Sequence, residues 1–284
     1  MLRSALFFAC AALPVLAADN ALRDQVAGLL KQRQWAEART VLEKATAAEP
    51  GNAEGWNSLG QVYLALGDTE KAVPALERAT QLAPANSEYF RKLGDSYGVT
   101  AQKAGLLAKF GWAKKCKAAY EKAVELDPAN LDARWSVMEY CRQAPGIAGG
   151  GMDGAYAQAE AIKRLNPGRG RAAYASLYVS DKKYAEAFAL YDEVLRERPD
   201  DNEALFQLGR LAAVSGERLD HGLEALRKLL TLPGGPAPRT HSRIGNILEK
   251  KGDKPGAQAA YEAALALDPK FTPAIEGLRK LKEG

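Results

Sequence analysis

An all-α fold, built by stacking one helix pair on the next, is what this sequence predicts, and three observations carry the prediction. Prolines recur at Pro50, Pro84, Pro128, Pro167, Pro199, Pro233 and Pro269, with successive spacings of 34, 44, 39, 32, 34 and 36 residues. Between Ala53 and Pro84, apolar residues fall at i, i+3, i+4 and i+7, the period of two short amphipathic helices broken at Gly67-Asp68. Small Gly60 and Ala72 let those two backbones approach closely, while Trp56, Tyr63 and Leu76 fill the remaining space. One such hairpin cannot bury its apolar face alone, so neighbours must stack on it as a solenoid.

The bulk composition agrees with this class. The chain has 284 residues, 47% hydrophobic and 26% charged, which suits a globular protein. A net charge of +4 is too mild to imply nucleic acid as a partner.

At the N-terminus, Arg3 precedes the apolar run Ala5–Leu16, and Val15-Leu16-Ala17 fits a small-residue cleavage site. The run is too short to span a bilayer, and polar Asp19-Asn20 follow it. Residues 1–17 therefore read as a secretory signal peptide and 18–284 as one repeat domain. Cys10 sits in a poor context for lipid attachment. Cys116 and Cys141 remain after cleavage, on helices expected to pack together, in a compartment where disulfides persist. A Cys116–Cys141 bridge is one reading, and two buried packing thiols are the other.

The first hairpin (about 19–50) lacks Trp and Gly in its first helix but keeps Ala38, Leu42, Ala45 and Pro50, as a cap would. The second is the Ala53–Pro84 stretch. The third opens with Phe90, Leu93-Gly94 and Tyr97, closes with Tyr120, Ala123 and Pro128, and has ten residues too many against the 34-residue spacing. The fourth has Ala133, Val137 and Met138, is five residues over length, and contains the run Ala144–Gly151. The fifth keeps Tyr178, Ala187, Tyr191 and Val194; the sixth keeps Leu205, Leu208-Gly209 and Leu226. A stiff joint, Pro233–Pro238, precedes the seventh, with Ile244-Gly245, Ala257, Tyr261 and Ala264. Thr272-Pro273 then starts a closing helix whose apolar face is Phe271, Ile275, Leu278 and Leu281.

Both over-length hairpins carry their extra residues between their two helices, at about 98–115 and 144–154. The first insert is basic: Lys103, Lys109, Lys114, Lys115, Lys117 and Lys122 face a single Glu121 between residues 101 and 122. Leu106, Leu107, Phe110 and Trp112 interleave with them, as in an amphipathic basic helix. Such a helix suits an anionic partner or lipid headgroups; a lengthened hairpin with a solvated lysine face is the plainer reading. The glycine-rich run lacks the Lys-Ser/Thr of a phosphate loop and follows a helix rather than a strand, so it reads as a flexible connection.

The order Trp56-x2-Leu59-Gly60-x2-Tyr63, then Ala72, Leu76, Ala79 and Pro84, resembles the tetratricopeptide repeat, with Leu76 where Phe is usual. The resemblance implies a right-handed α-solenoid of about seven hairpins with a C-terminal capping helix. It also implies a groove lined by the first helix of each repeat. Carried onto this chain, the groove would present Asn57, Gln61, Arg91, Lys92, Asp95, Trp135, Glu139, Arg142, Phe206, Gln207, Arg210, Arg243 and Asn246. Trp135 and Phe206 fall at slots that face solvent, and aromatics beside arginine suit an extended peptide, a C-terminus or a sugar. The family's carboxylate clamp needs paired Lys and Asn on successive first helices, places that Asn57, Gln61, Lys92 and Ser136 fill badly.

Enzyme chemistry has little support. His221 and His241 are the two histidines, with no metal-binding spacing around them and no nucleophile motif elsewhere. The expectation is a non-enzymatic, monomeric scaffold of the bacterial periplasm that holds a protein or peptide segment, in envelope assembly or maturation, without cofactor or metal. An envelope-surface protein binding glycan or lipid through the basic insert is the alternative, and a hydrolase with an unrecognised site is the least favoured.

Overall fold

The computed structural model describes residues 23–235 and 237–283. The expected signal peptide, residues 1–17, lies outside them. Among the described residues there are fifteen α-helices and no strand. They are α1 (23–31), α2 (Trp35–Ala48), α3 (Ala53–Ala65), α4 (Thr69–Leu82), α5 (Ser87–Lys103), α6 (Leu106–Leu126), α7 (Leu131–Gln143), α8 (Met152–Leu165), α9 (Pro167–Ser180), α10 (Tyr184–Glu197), α11 (Asn202–Ser215), α12 (Leu219–Leu230), α13 (Pro238–Lys250), α14 (Lys254–Leu267) and α15 (Thr272–Glu283). Within each unit the helices pack chiefly on those next to them in sequence, as stacked helix hairpins do. The chain divides into two compact units, up to Gln158 and from Ala159 onward.

Helix starts follow a local rule. A short polar residue just after five of the inter-repeat turns accepts a hydrogen bond from the backbone N–H three residues on: Asn52 from Gly55, Asn86 from Tyr89, Asn130 from Ala133, Asn166 from Arg169 and Asp201 from Ala204. Asp68 and Asp253 do the same for α4 and α14. Each satisfies one of the N–H groups that a helix start leaves without an intrahelical partner.

In the first unit, Ala38, Leu42, Leu59, Val62 and Ala72 form one core cluster, and Val73, Leu76, Leu93, Tyr97 and Cys116 the next. Gly60 packs against Leu76 so tightly that a Cβ there would lie 2.5 Å from Leu76 Cγ. Tyrosines tie the second and third repeats to the ones before them: Tyr63 Oη donates to Glu43 at 2.8 Å and Tyr97 Oη to Glu77 at 2.7 Å. Burial and the Glu43 carboxylate together raise the Tyr63 phenol to about 12. It stays protonated at physiological pH and keeps donating.

The second unit has one larger cluster running from Ala187 and Phe188 through Leu208, Leu226 and Ile247 to Tyr261 and Ala274. Tyr261 is fully buried between two glycines; a Cβ on Gly245 or Gly277 would meet its ring at 2.5 or 2.4 Å. The closing helix α15 buries Ala274, with Phe271, Leu278 and Leu281 packed on the cluster. Ile275, expected on the same face, is 46% exposed instead, because Ala274 and Gly277 make the close contact.

Candidate functional site

The basic insert is helix. Its extra residues lengthen α5 to 17 residues and α6 to 21, against 13 and 14 in α3 and α4. Only Ala104 and Gly105 remain as a turn. Of the six lysines singled out there, four already have structural partners, Lys122 through Glu125 at 2.7 Å. Lys103 Nζ donates to the Gly67 carbonyl at 2.6 Å. Lys115 Nζ lies 4.6 Å from the centre of the Trp112 ring, and Lys117 pairs with Glu121 at 3.5 Å. Lys109 and Lys114 are exposed and have no hydrogen bond or ion pair among the described residues.

The glycine-rich loop is a built structure rather than a loose connection. A 3-10 turn at Gly146–Ala148 leads to Gly149 and Gly151 at φ 81° and 149°, conformations that favour glycine. Tyr140 Oη donates to the Ala148 carbonyl at 2.7 Å, and Gly151 N–H to the Cys141 carbonyl at 2.7 Å. A Cβ on Gly150 would sit 1.8 Å from the Ala144 carbonyl oxygen.

Cys116 and Cys141 are free and buried, so the bridge considered from the sequence is not formed. They face different neighbours: Cys116 Sγ lies 3.4 Å from the Cβ position of Gly98 on α5, and Cys141 Sγ 3.1 Å from that of Gly154 on α8. Burial pushes the Cys116 thiol up to about 12.

In the first unit the expected groove cations are neutralised by their own helices. Arg91 binds Glu88 through Nε at 2.8 Å and Asp95 through Nη1 at 3.2 Å, and Lys92 lies 3.6 Å from Glu88. Tyr120 Oη donates to Asp95 at 2.8 Å; burial nonetheless pushes that carboxyl up, against the pull of Arg91 and Tyr120. Glu139 receives Nε of Arg142 at 3.1 Å and the amide of Gln143 at 2.9 Å. Asn57 is buried, with its Oδ1 unpartnered, and Gln61 reaches back to the Asn57 carbonyl at 3.5 Å. Trp135 is half-buried and lines a cavity of about 410 Å³ between α5, the added turns of α6, and α7. It therefore borders the inserted segment.

The second unit is arranged differently. Phe206 is 7% exposed and belongs to the core, which corrects the expectation that it faces solvent. The physical reason is that α11 is covered on that side by α13, and the guanidinium of Arg239 caps the Phe206 ring at 4.4 Å from its centre. One turn along, Arg210 on α11 and Arg243 on α13 are half-buried. Their hydrogen-bond partners are neutral: Arg210 Nε donates to Gln207 Oε1, and Arg243 Nη1 to Asn246 Oδ1 at 3.2 Å. Burial and the nearby Arg210 charge lower the Arg243 pKa. Among the described residues neither arginine has a carboxylate at ion-pair distance. The nearest acids act at one remove: Glu203 accepts from Gln207, and Glu249 accepts from the Tyr261 hydroxyl that Asn246 contacts. The sequence order placed these residues in one groove but could not separate paired arginines from unpaired ones.

His221 lies 2.9 Å from Asp192, which Arg218 also binds at 2.8 Å, an ion-pair tie between α12 and α10. His241 is half-buried on α13, and burial lowers its pKa. No cluster of three or more His, Cys, Asp or Glu is placed to hold a metal among the described residues. No helix among them is long and apolar enough to cross a membrane.

Successive helix pairs, proline-closed and glycine-packed, with a polar lining on the first helices, define a stacked-repeat binding scaffold. Models of the tetratricopeptide repeat match residues 24–87, 101–130, 168–211 and 238–271, together more than half of the chain. The chain belongs to the tetratricopeptide repeat family. It is similar in fold to a tetratricopeptide repeat protein from Parabacteroides merdae, at TM-score 0.62 and 17% identity, over 93% of this chain and 98% of that one. The C-terminal part of a TPR repeat-containing protein from Cytophaga hutchinsonii aligns at TM-score 0.53 and 22% identity, over 90% of this chain and 99% of that one. In sequence the chain is 34% identical over 127 residues to cellulose synthase operon protein C of Pseudomonas fluorescens. That match spans 40% of this chain and only 9% of the relative.

Proposed function

We propose that this protein is a non-enzymatic scaffold of the bacterial periplasm that holds an anionic segment of a partner protein against the first helices of its repeats. The observation that carries the reading is the half-buried pair Arg210 and Arg243, which lacks a carboxylate partner. Two half-buried positive charges side by side are unfavourable until an anion joins them, and guanidinium binds carboxylate bidentately. Gln207 and Asn246 pre-orient the two forks, and Arg239 extends the positive run along α13. The partner's carboxylate completes a site that the chain leaves open. Family membership supports the binding role, and the N-terminal apolar run supports export. The partial likeness to a cellulose synthase operon protein is consistent with work at the envelope.

The test is a peptide array graded in carboxylate content, probed with the full chain and with Arg210→Gln/Arg243→Gln. Acid-rich peptides should bind the wild type, and the double variant should weaken that binding about tenfold or more, as expected for losing charged hydrogen bonds. Binding that ignores carboxylate content, or that survives the double variant, contradicts the proposal.

A further inference from the structure

In the first unit every large, well-exposed apolar side chain among the described residues lies at one kind of place. Leu66 (40% exposed), Leu106 (73%), Leu107 (93%) and Ile147 (76%) all sit at the turn between the two helices of a repeat, in three consecutive repeats. Elsewhere this unit exposes alanines and polar residues instead. The α5–α6 tip is also the longest: four residues more in α5 than in α3 extend it by about 6 Å at 1.5 Å per residue. At that tip, Leu107, Phe110 and Lys114 follow at i, i+3 and i+7 and share one side of α6, with Leu106 beside them. Lys109 and Lys114 are the two insert lysines without partners.

We propose that this edge docks onto the surface of an anionic lipid bilayer, with the leucine tip inserted and the lysines at headgroup level. The depth fits. Lys114 lies seven residues along α6 from Leu107, about 10 Å, and interfacial apolar faces bury about 5–10 Å into the headgroup boundary. Unpaired lysines supply the attraction to phosphates that two leucines alone would lack. A lipid surface suits the tip better than a protein pocket would, because the exposed side chains come from separate turns and form a discontinuous fringe rather than one knob. This edge is separate from the arginine pair of the second unit, so each can be lost without the other.

The experiment is vesicle co-sedimentation of the full mature chain with phosphatidylcholine alone and with phosphatidylcholine containing phosphatidylglycerol. The wild type should sediment with the phosphatidylglycerol vesicles, less at high salt, and not with phosphatidylcholine alone. Leu106→Ser/Leu107→Ser should weaken binding at least about tenfold, given the apolar area of two leucines. Lys109→Glu/Lys114→Glu should abolish it. All four positions are exposed, so both variants keep the wild-type circular dichroism and melting profile. Absence of sedimentation by the wild type, or sedimentation unchanged in both variants, overturns the proposal. A partner protein captured through this tip in place of vesicles overturns it equally.

Discussion

Phe206 and Trp135 carry the same expectation and reach different ends. Phe206 is enclosed under Arg239 and the α11–α13 contact, so Phe206→Ala should cost about 3 kcal/mol, near the lower end for a buried phenylalanine, as read by urea denaturation. Trp135 borders a cavity, and Trp135→Ala should cost less than half as much in the same assay. Both positions were legible as groove slots, because their spacing from Val137-Met138 and from Leu208-Gly209 fixes their helical face. Their exposure was not, since that depends on which neighbour covers the slot. The glycines were more legible: Gly60 was read as a point of close backbone approach, and it meets Leu76 as Gly245 meets Tyr261. Gly245→Ala forces a methyl to within 2.5 Å of the fully buried Tyr261 ring and should destabilise by about 1–3 kcal/mol.

At the scale of the element, the first insert was legible as added helix, whereas the glycine-rich run was not legible as a built turn. The third repeat turned its extra residues into helix because Leu106–Leu126 contains no proline or inward charge to stop it. The fourth could not: Pro145 and three consecutive glycines end α7 and force a 3-10 turn. The asparagine caps were visible all along, two residues after Pro50, Pro84 and Pro128, and would have fixed three helix starts to the residue. The tie between α10 and α12 makes a pH prediction. Burial of Asp192 opposes its ionisation, but hydrogen bonds from Arg218 and His221 prevail and hold its carboxyl below the ordinary range. A carboxyl depressed on folding adds stability above its unfolded pKa and loses it as the pH falls through the folded value. Asp192→Asn should therefore cost on the order of 0.5 kcal/mol near neutral pH, after solvent screening, and nothing well below about pH 4. Thermal melts of both proteins across that range check it.

For the whole molecule, the fold could be read from the sequence because a repeat array states its rule several times. Prolines at Pro50 to Pro269 set the period, small residues set the close contacts, and each hairpin needs only its neighbour. Function is less repetitive. The proposed site lies where the sixth and seventh repeats depart from the others, Arg210 and Arg243 lacking the carboxylates that neutralise Arg91 and Arg142. Pairing of that kind is decided by rotamers and by helices far apart in sequence, so spacing alone could not report it.

The most direct measurement is site-specific photo-crosslinking in the native host. A photoreactive residue is placed at Gln207 or Asn246, beside the arginine pair, and as a control at Glu224, exposed on α12. The first two positions should trap the same protein through an acid-rich segment, Glu224 should trap none, and Arg210→Gln/Arg243→Gln should remove the adduct. Equal adducts from all three positions, or an adduct that persists without the arginines, would contradict the account.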